Sequence, residues 1–218
     1  MRPIPPPSRH NGAMHLSIET EIAQAAAALV VDEGLEYGSA KRRALKQLGL
    51  PPRSTPLPDN ELVEDAVREH LALFCADTQP AELQALRQLA LLWMERLAPF
   101  RPYVAGAVWH GTATRLSDIY LQLLCDDSKS AEIALIDKGV DYDVQTVTGL
   151  HGQPVEALTL ASPSKELGVV VGVHLLIYDL DDLRGALRLD ARGRAPRGDT
   201  AALRQLLQET HSTPEVWP

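Results

Sequence analysis

The segment HGTATRLSDIYLQLLCDD, residues 110–127, places a turn of small residues shortly before an aspartate that begins a strand-like run. Gly111 and Thr112 form the turn, and Asp118 opens the run DIYLQLLC, whose aliphatic and aromatic residues predict a β-strand over 118–125. Backbone N–H groups in such turns can contact phosphate oxygens, and carboxylates can hold Mg²⁺. The segment is therefore typical of a protein that handles phosphate, and further acids have to be sought elsewhere in the chain.

The chain before this segment is predicted to be almost entirely helical. Ser17 and Asp59 are suitable N-caps, and Gly34 is a suitable helix stop. The Pro-rich residues 1–16 predict a disordered extension, within which Met14 is an alternative start. Helices are expected over residues 17–33, 38–48, 59–76 and 80–98, which defines a helical region over 17–100.

From about residue 101 the composition changes to strands interspersed with helices. Strands are expected over 103–111, 118–125, 140–148, 154–161 and 168–179, and helices over 128–138 and 199–209. Residues 211–218 are expected to form a loose tail. The sequence therefore predicts an α+β fold, in which the helical N-terminal region is followed by a small mixed β-sheet domain over 101–210.

The composition narrows the class of protein. With 218 residues, 45% hydrophobic residues and a net charge of −8, the chain is typical of a cytoplasmic globular protein without a membrane span. The first residues, MRPIPPPSRHNGAMHLS, lack the apolar core of a signal peptide. Cys75 and Cys125 form no metal-binding motif, and the chain contains no P-loop, dinucleotide fingerprint or nucleophile elbow.

The order of these elements resembles the nucleotidyltransferase superfamily related to DNA polymerase β. In that superfamily a hydrophobic residue, a Gly, and a Gly or Ser precede a spacer and two acids that flank one hydrophobic residue. A third acid lies on a later strand. Here Gly111–Thr112 resembles the turn and Asp118 the first acid, whereas Tyr120 and His174 stand where the other two acids are expected. The spacer, residues 113–117, is shorter than the family usually shows.

The resemblance spans residues 84–180 and implies a fold of nucleotidyltransferase type with two alternative functions. In the first, the protein is an enzyme that transfers a nucleotide from an NTP to an unknown acceptor. Asp118 would then be catalytic and hold Mg²⁺ or Mn²⁺, with His174 as a further metal ligand. The nucleotide would contact Gly111, Thr112, Arg115 and Tyr120.

In the second alternative the fold is kept but the chemistry is lost, and the protein senses a nucleotide or binds a protein or nucleic-acid partner. The absence of acids at Tyr120 and His174 favours this alternative, because a tyrosine is neutral near pH 7 and is a poor Mg²⁺ ligand. The small-residue turn and Asp118 keep the enzyme alternative open.

Structural roles compete with each of these assignments. Asp118 can accept a backbone N–H at the start of a strand, and His174 can be a satisfied core histidine. Together they would suit one transition metal better than Mg²⁺. The pair Asp126–Asp127 either adds to the acids or caps the following helix, and Asp141–Asp143 fits either paired ligands or a half-buried edge strand.

Two basic segments are candidate phosphate contacts. AKRRALKQLG, residues 40–49, could contact nucleic acid as part of a partner-binding surface over 17–49, or could be a solvated helix face. The second group consists of arginines near the C-terminus that could face phosphate: Arg184, Arg188, Arg192, Arg194 and Arg197. The Gly- and Pro-containing segment DARGRAPRGD, residues 190–199, is expected to be a mobile loop.

Overall fold

The computed structural model describes residues 17–125, 127, 129–150, 152–183, 187–190 and 192–211. It has seven α-helices and a six-stranded mixed sheet within these residues, which confirms the α+β class. In this part of the chain no helix is both long enough and apolar enough to cross a membrane.

The first three helices form a small unit with a core of their own. They are α1 (Ile18–Glu33), α2 (Tyr37–Gln47) and α3 (Asn60–Phe74). The predicted caps are confirmed: Ser17 Oγ accepts from the Thr20 N–H at 3.2 Å, and Asp59 Oδ1 accepts from the Leu62 N–H at 2.7 Å. Gly34 ends α1 with a left-handed φ of 69°, a conformation that glycine adopts without strain.

The core of this unit consists of small and branched side chains on the facing sides of α1, α2 and α3. Its fully buried members include Ile22, Ala23, Ala26, Ala40, Ala44, Val63 and Val67. The alanines allow the helix axes to approach closely, so a three-helix unit of modest length can exclude water.

The remaining elements build the sheet and the helices that pack on it. The helices are α4 (Gln79–Arg96), α5 (Gly106–His110), α6 (Lys129–Asp137) and α7 (Thr200–His211). The strands are β1 (Tyr103–Ala105), β2 (Ile119–Leu124), β3 (Asp143–Thr148), β4 (Pro154–Ser164), β5 (Val169–Tyr178) and β6 (Arg197–Asp199). The strand order is β3-β4-β5-β2-β1-β6; β2 and β5 are parallel, and every other pair is antiparallel.

One face of this sheet carries a second hydrophobic core. Ile119, Leu121 and Leu123 of β2 alternate inwards with Val173 and Leu175 of β5. Helices α4 and α7 contribute residues to the same core. The opposite face carries the residues that alternate with these along β2 and β5. Part of that face lines a cleft between the sheet and the helical unit.

Two predictions about local structure are wrong. Residues 103–111 do not form one strand: β1 ends at Ala105, and Gly106, with φ 67°, turns the chain into the short helix α5. The segment 190–199 contains a strand, β6, which pairs antiparallel with β1. Both errors concern elements of five residues or fewer, whose existence depends on their neighbours in space rather than on periodicity.

Ion pairs connect the C-terminal segment to α3. Both terminal nitrogens of Arg192 bind the Asp65 carboxylate at 2.6 Å, and Arg194 Nη1 lies 2.7 Å from Glu64 Oε1. The segment expected to be a mobile loop therefore links the sheet unit to the helical unit. The bidentate geometry at Asp65 is the form of arginine–carboxylate contact that fixes orientation as well as distance.

Candidate functional site

A cleft of about 540 Å³ lies between the two units. One wall is the junction of α1 and α2 together with the start of α3, and the other is the β1–α5 turn with the start of β2. The polar residues that line it include Glu36, Tyr37, Asn60, Glu64, His110, Thr112, Ser117, Asp118, Tyr120 and Gln122. This volume falls within the range of small-molecule binding sites.

Asp118 lies at the edge of the cleft, directly before β2. Its Oδ1 accepts from the Gly172 N–H at 3.1 Å, and its Oδ2 accepts from His174 Nε2 at 3.1 Å. A Cβ on Gly172 would lie 2.7–3.0 Å from the three carboxylate atoms, so the approach of Asp118 to β5 requires glycine there. Asp118 thus has the structural role of accepting a backbone N–H, yet its side chain remains 46% exposed.

His174 is held from both sides by hydrogen bonds. A carboxylate can only accept, so Nε2 carries a proton towards Asp118, and Nδ1 lies 2.9 Å from the Thr159 hydroxyl. Both ring nitrogens are thus engaged in hydrogen bonds. The imidazole is therefore oriented by Asp118 and Thr159 and is poorly prepared to bind a metal.

Tyr120 lies opposite His174 in the parallel pair of β2 and β5. The two rings stack with centroids 4.7 Å apart and planes inclined by 21°. The phenol donates to Glu36 Oε1 at 2.7 Å, which connects the sheet to the start of α2. Burial, the hydrogen bond to Glu36 and the nearby negative charges all raise the pKa of Tyr120, so the hydroxyl remains a donor.

Glu36 is a residue of the cleft that sequence analysis missed. It directly precedes α2 and lies 84 positions from Tyr120 in sequence, and no local pattern indicates that it faces the sheet. It supplies a carboxylate near the position where the resemblance expects the second acid. That carboxylate is bound by the Tyr120 hydroxyl, so the phenol lies between Glu36 and the strand.

The predicted phosphate turn has a different structure from the one expected. The glycine that directly follows β1 is Gly106, and the cleft is lined by Gly106 and Ala107. Gly111 ends α5, and its N–H donates to the Ala107 carbonyl at 2.9 Å. Thr112 is buried and lines the cleft, whereas Gly111 does not.

Arg115 also lies outside the lining of the cleft. Its side chain is exposed, and its backbone N–H donates to Glu82 Oε2 at 3.0 Å. Of the residues expected to contact the nucleotide, the structure brings Thr112 and Tyr120 together with Asp118 in one cleft. His174 contacts this group through its hydrogen bond to Asp118 and its stacking on Tyr120.

The described residues contain no group of three or more His, Cys, Asp or Glu side chains arranged to hold a metal ion. Asp127 Oδ1 accepts from the Lys129 N–H at the start of α6, and Asp143 lies on the edge strand β3. Asp126 and Arg184, which sequence analysis considered as an added acid and a phosphate contact, fall outside the described residues. The described side chains therefore do not fit two Mg²⁺ ions, which require several carboxylate oxygens.

Two cations of the basic segment over 40–49 make contacts within the protein. Lys41 Nζ donates to the Pro58 carbonyl at 3.0 Å and to Asn60 Oδ1 at 2.8 Å. Arg43 pairs with Glu33, at 2.5 Å. These contacts favour a structural role for Lys41 and Arg43, and Arg42 and Lys46 are exposed cations of the same segment.

His110 is a titratable group inside the cleft. Burial lowers the pKa of its imidazole, partly opposed by the negative charge of Glu64. The pKa of Glu64 is itself lowered: burial raises it, but hydrogen bonds from Arg68 and Arg194 outweigh that effect. His110 is consequently neutral near pH 7, while the neighbouring Glu64 is charged and neutralised by arginines.

The lowered pKa of His110 predicts a loss of stability in acid. Below about pH 6.5 an unfolded histidine takes up a proton that the folded His110 resists, so the free energy of unfolding falls as the pH decreases. We expect the His110→Gln variant to lose less stability than the wild type between pH 7.5 and pH 5.5. Urea unfolding at both pH values measures this, and equal losses in the two proteins would contradict the assignment.

No protein-family model matches the chain, and no curated protein matches it.

Proposed function

We propose that the cleft binds a nucleotide and that the protein is a nucleotidyltransferase-like module that senses the nucleotide without two-metal transfer chemistry. The observation that carries the proposal is the position of Asp118. It directly precedes β2, beside the parallel strand β5, and it opens on a cleft of nucleotide size between the helical and sheet units.

The path of the chain into the cleft supports the nucleotidyltransferase comparison. A hydrophobic strand, β1, is followed by Gly106 and Ala107, and residues 108–117 then lead to Asp118. The spacer over 108–117 is longer than the one over 113–117 that follows Gly111–Thr112. Since the shorter spacer is the one that departs from the family pattern, taking Gly106–Ala107 as the turn improves the match. Ala107 replaces the usual Gly or Ser, a small side chain that still permits close approach.

The surroundings of Asp118 support binding rather than transfer. One of its oxygens is held by Gly172 and the other by His174, and Tyr120 occupies the position of the second acid. The exposed surface of the carboxylate can still accept from ribose hydroxyls or a base amino group. The rings of Tyr37 and Tyr120 also line the cleft and offer aromatic surface to a base.

A second candidate is nucleotide transfer that depends on one metal ion, with an unknown acceptor. It is favoured by the Glu36 carboxylate, which lies within hydrogen-bond distance of Tyr120 and could supplement Asp118. The ligands in this set would be carboxylate oxygens, which suit Mn²⁺ as well as Mg²⁺. A protein or nucleic-acid partner that binds residues 17–49 is compatible with either candidate, and Arg42 and Lys46 are the cations exposed for it.

Thermal unfolding with each of ATP, CTP, GTP and UTP, in EDTA, Mg²⁺ or Mn²⁺, tests these candidates. The proposal predicts that at least one nucleotide raises the melting temperature by several degrees in EDTA, since a ligand at 100 times its Kd adds about 2.7 kcal/mol. Asp118→Asn should abolish the shift, and the matched variant Asp143→Asn on the edge strand should retain it.

The other outcomes separate the candidates. A shift that requires both a nucleotide and Mg²⁺ or Mn²⁺ would support one-metal transfer and direct an acceptor screen. If no nucleotide shifts the wild type under any condition, both candidates are contradicted.

A further inference from the structure

Arg197 is a buried cation on the open face of the sheet. Only 9% of its surface is exposed, and burial lowers the pKa of its guanidinium, which nevertheless remains charged. Its Nη1 donates to Gln122 Oε1, whereas its Nε is buried and makes no hydrogen bond. Within the described residues Arg197 forms no ion pair with a carboxylate, and a buried charge without a counter-ion is costly.

This contact determines how the Gln122 amide is oriented. A guanidinium has only donors, so the amide oxygen has to face Arg197 and the amide nitrogen has to point away from it. Gln122 lies between two spaces: the functional cleft, and a small cavity that it shares with Arg197 and Tyr178. Because the oxygen contacts Arg197 in the small cavity, which Asp182 also lines, the NH₂ group is the part of the amide left for the cleft.

Among the described residues, no lysine or arginine lines the cleft to attract an anion. Glu36, Glu64 and Asp118 line it with carboxylates, and the arginines that contact Glu64 are already paired. The positive charge of Arg197 polarises the Gln122 amide and strengthens its N–H as a donor. The strongest hydrogen bond that this amide can make is therefore to a negatively charged oxygen.

We propose that Gln122, oriented by Arg197, is the residue through which the cleft recognises a phosphate oxygen of the bound nucleotide. Arg197 is a positioning residue in this scheme: it holds the amide and supplies positive charge without touching the ligand. The inference rests on the proposed function, because it assigns one contact within the same nucleotide site.

The variant Gln122→Glu tests the inference with almost no change of shape. It replaces the N–H donor with a second carboxylate oxygen and gives Arg197 a counter-ion. We expect the melting temperature of the ligand-free variant to rise by about 2 °C or more because the buried charge is compensated. The matched control, Gln145→Glu on the exposed edge strand β3, should leave it unchanged.

Binding is compared by calorimetry with four pairs of probes: adenosine with AMP, cytidine with CMP, guanosine with GMP, and uridine with UMP. In the wild type the monophosphate of the best pair should bind more tightly than its nucleoside. In Gln122→Glu the affinity for the monophosphate should fall about tenfold or more, while that for the nucleoside changes less than about twofold. Arg197→Gln, which frees the amide to rotate, should reduce the preference for the monophosphate by a smaller factor.

The outcomes distinguish this inference from the proposed function. If the wild type prefers the monophosphate and Gln122→Glu keeps that preference, the inference is wrong and the nucleotide site stands. A lower melting temperature for ligand-free Gln122→Glu would overturn the assigned amide orientation. If none of the eight probes binds the wild type, the proposed function fails and the inference fails with it.

Discussion

Replacing Gly172 with alanine is expected to weaken nucleotide binding about tenfold while leaving the protein folded. The new Cβ would lie 2.7 Å from Asp118 Oδ1, so the carboxylate has to move off β5. That movement breaks its bond to the Gly172 N–H and its bond to His174. A tenfold loss corresponds to about 1.4 kcal/mol, at the low end for a hydrogen bond to a charged group.

Since the Asp118 side chain can rotate into solvent, we expect the cost in stability to be small, about 1 kcal/mol. A double-mutant cycle with Asp118→Ala isolates the part of the affinity loss that comes from displacing Asp118. Truncating the aspartate removes the clash between its carboxylate and the new Cβ at residue 172. Calorimetric titration should therefore show that Gly172→Ala changes the affinity only when Asp118 is present. Equal effects in both backgrounds would show that Gly172 acts through something other than Asp118.

Gly198→Ala is expected to have the largest effect on stability, a loss of about 3 kcal/mol. Gly198 is buried in β6, and an added Cβ would overlap Cζ3 and Cη2 of the Trp109 ring. The indole has little room to move because its Nε1 donates to the Ala195 carbonyl at 2.7 Å. Strand β6 or helix α5 has to shift, and the melting temperature should fall by roughly 10 °C.

The matched control is Gly38→Ala in α2, where the nearest atom to the new Cβ is Arg42 Nη1 at 3.5 Å. This variant should gain about 0.5–1 kcal/mol, because alanine favours the helix over the unfolded chain. Chemical denaturation of both variants gives the comparison. A Gly198→Ala protein as stable as the wild type would contradict the packing of β6 on Trp109.

Elements with local signals could be predicted from the sequence. Helix α1 was predicted with its N-cap Ser17 and its stop Gly34, because capping and left-handed glycine are properties of a few consecutive residues. Strand β6 could not be predicted in the same way. It is three residues long and exists because β1 offers it hydrogen-bonding partners far away in sequence.

In the candidate site too, residues with a local sequence signal could be predicted, and residues placed by distant contacts could not. Strand alternation predicts that Tyr120 and Asp118 share one face, and in the structure both contact His174. Thr159 and Glu36 come from strands and helices whose packing is set by tertiary contacts, so no motif marks them. The strand over 103–111 was predicted too long because an apolar run of this length is compatible with either a strand or a helix.

The central claim is that the cleft binds a nucleotide without needing a metal ion. Calorimetric titration of ATP, CTP, GTP and UTP into the wild type, in EDTA and then in Mg²⁺, tests it most directly. The account predicts saturable binding of at least one nucleotide with a stoichiometry near one in EDTA, and a Kd that Mg²⁺ changes by less than about threefold. Binding that appears only with the metal, or no binding at all, would contradict the account.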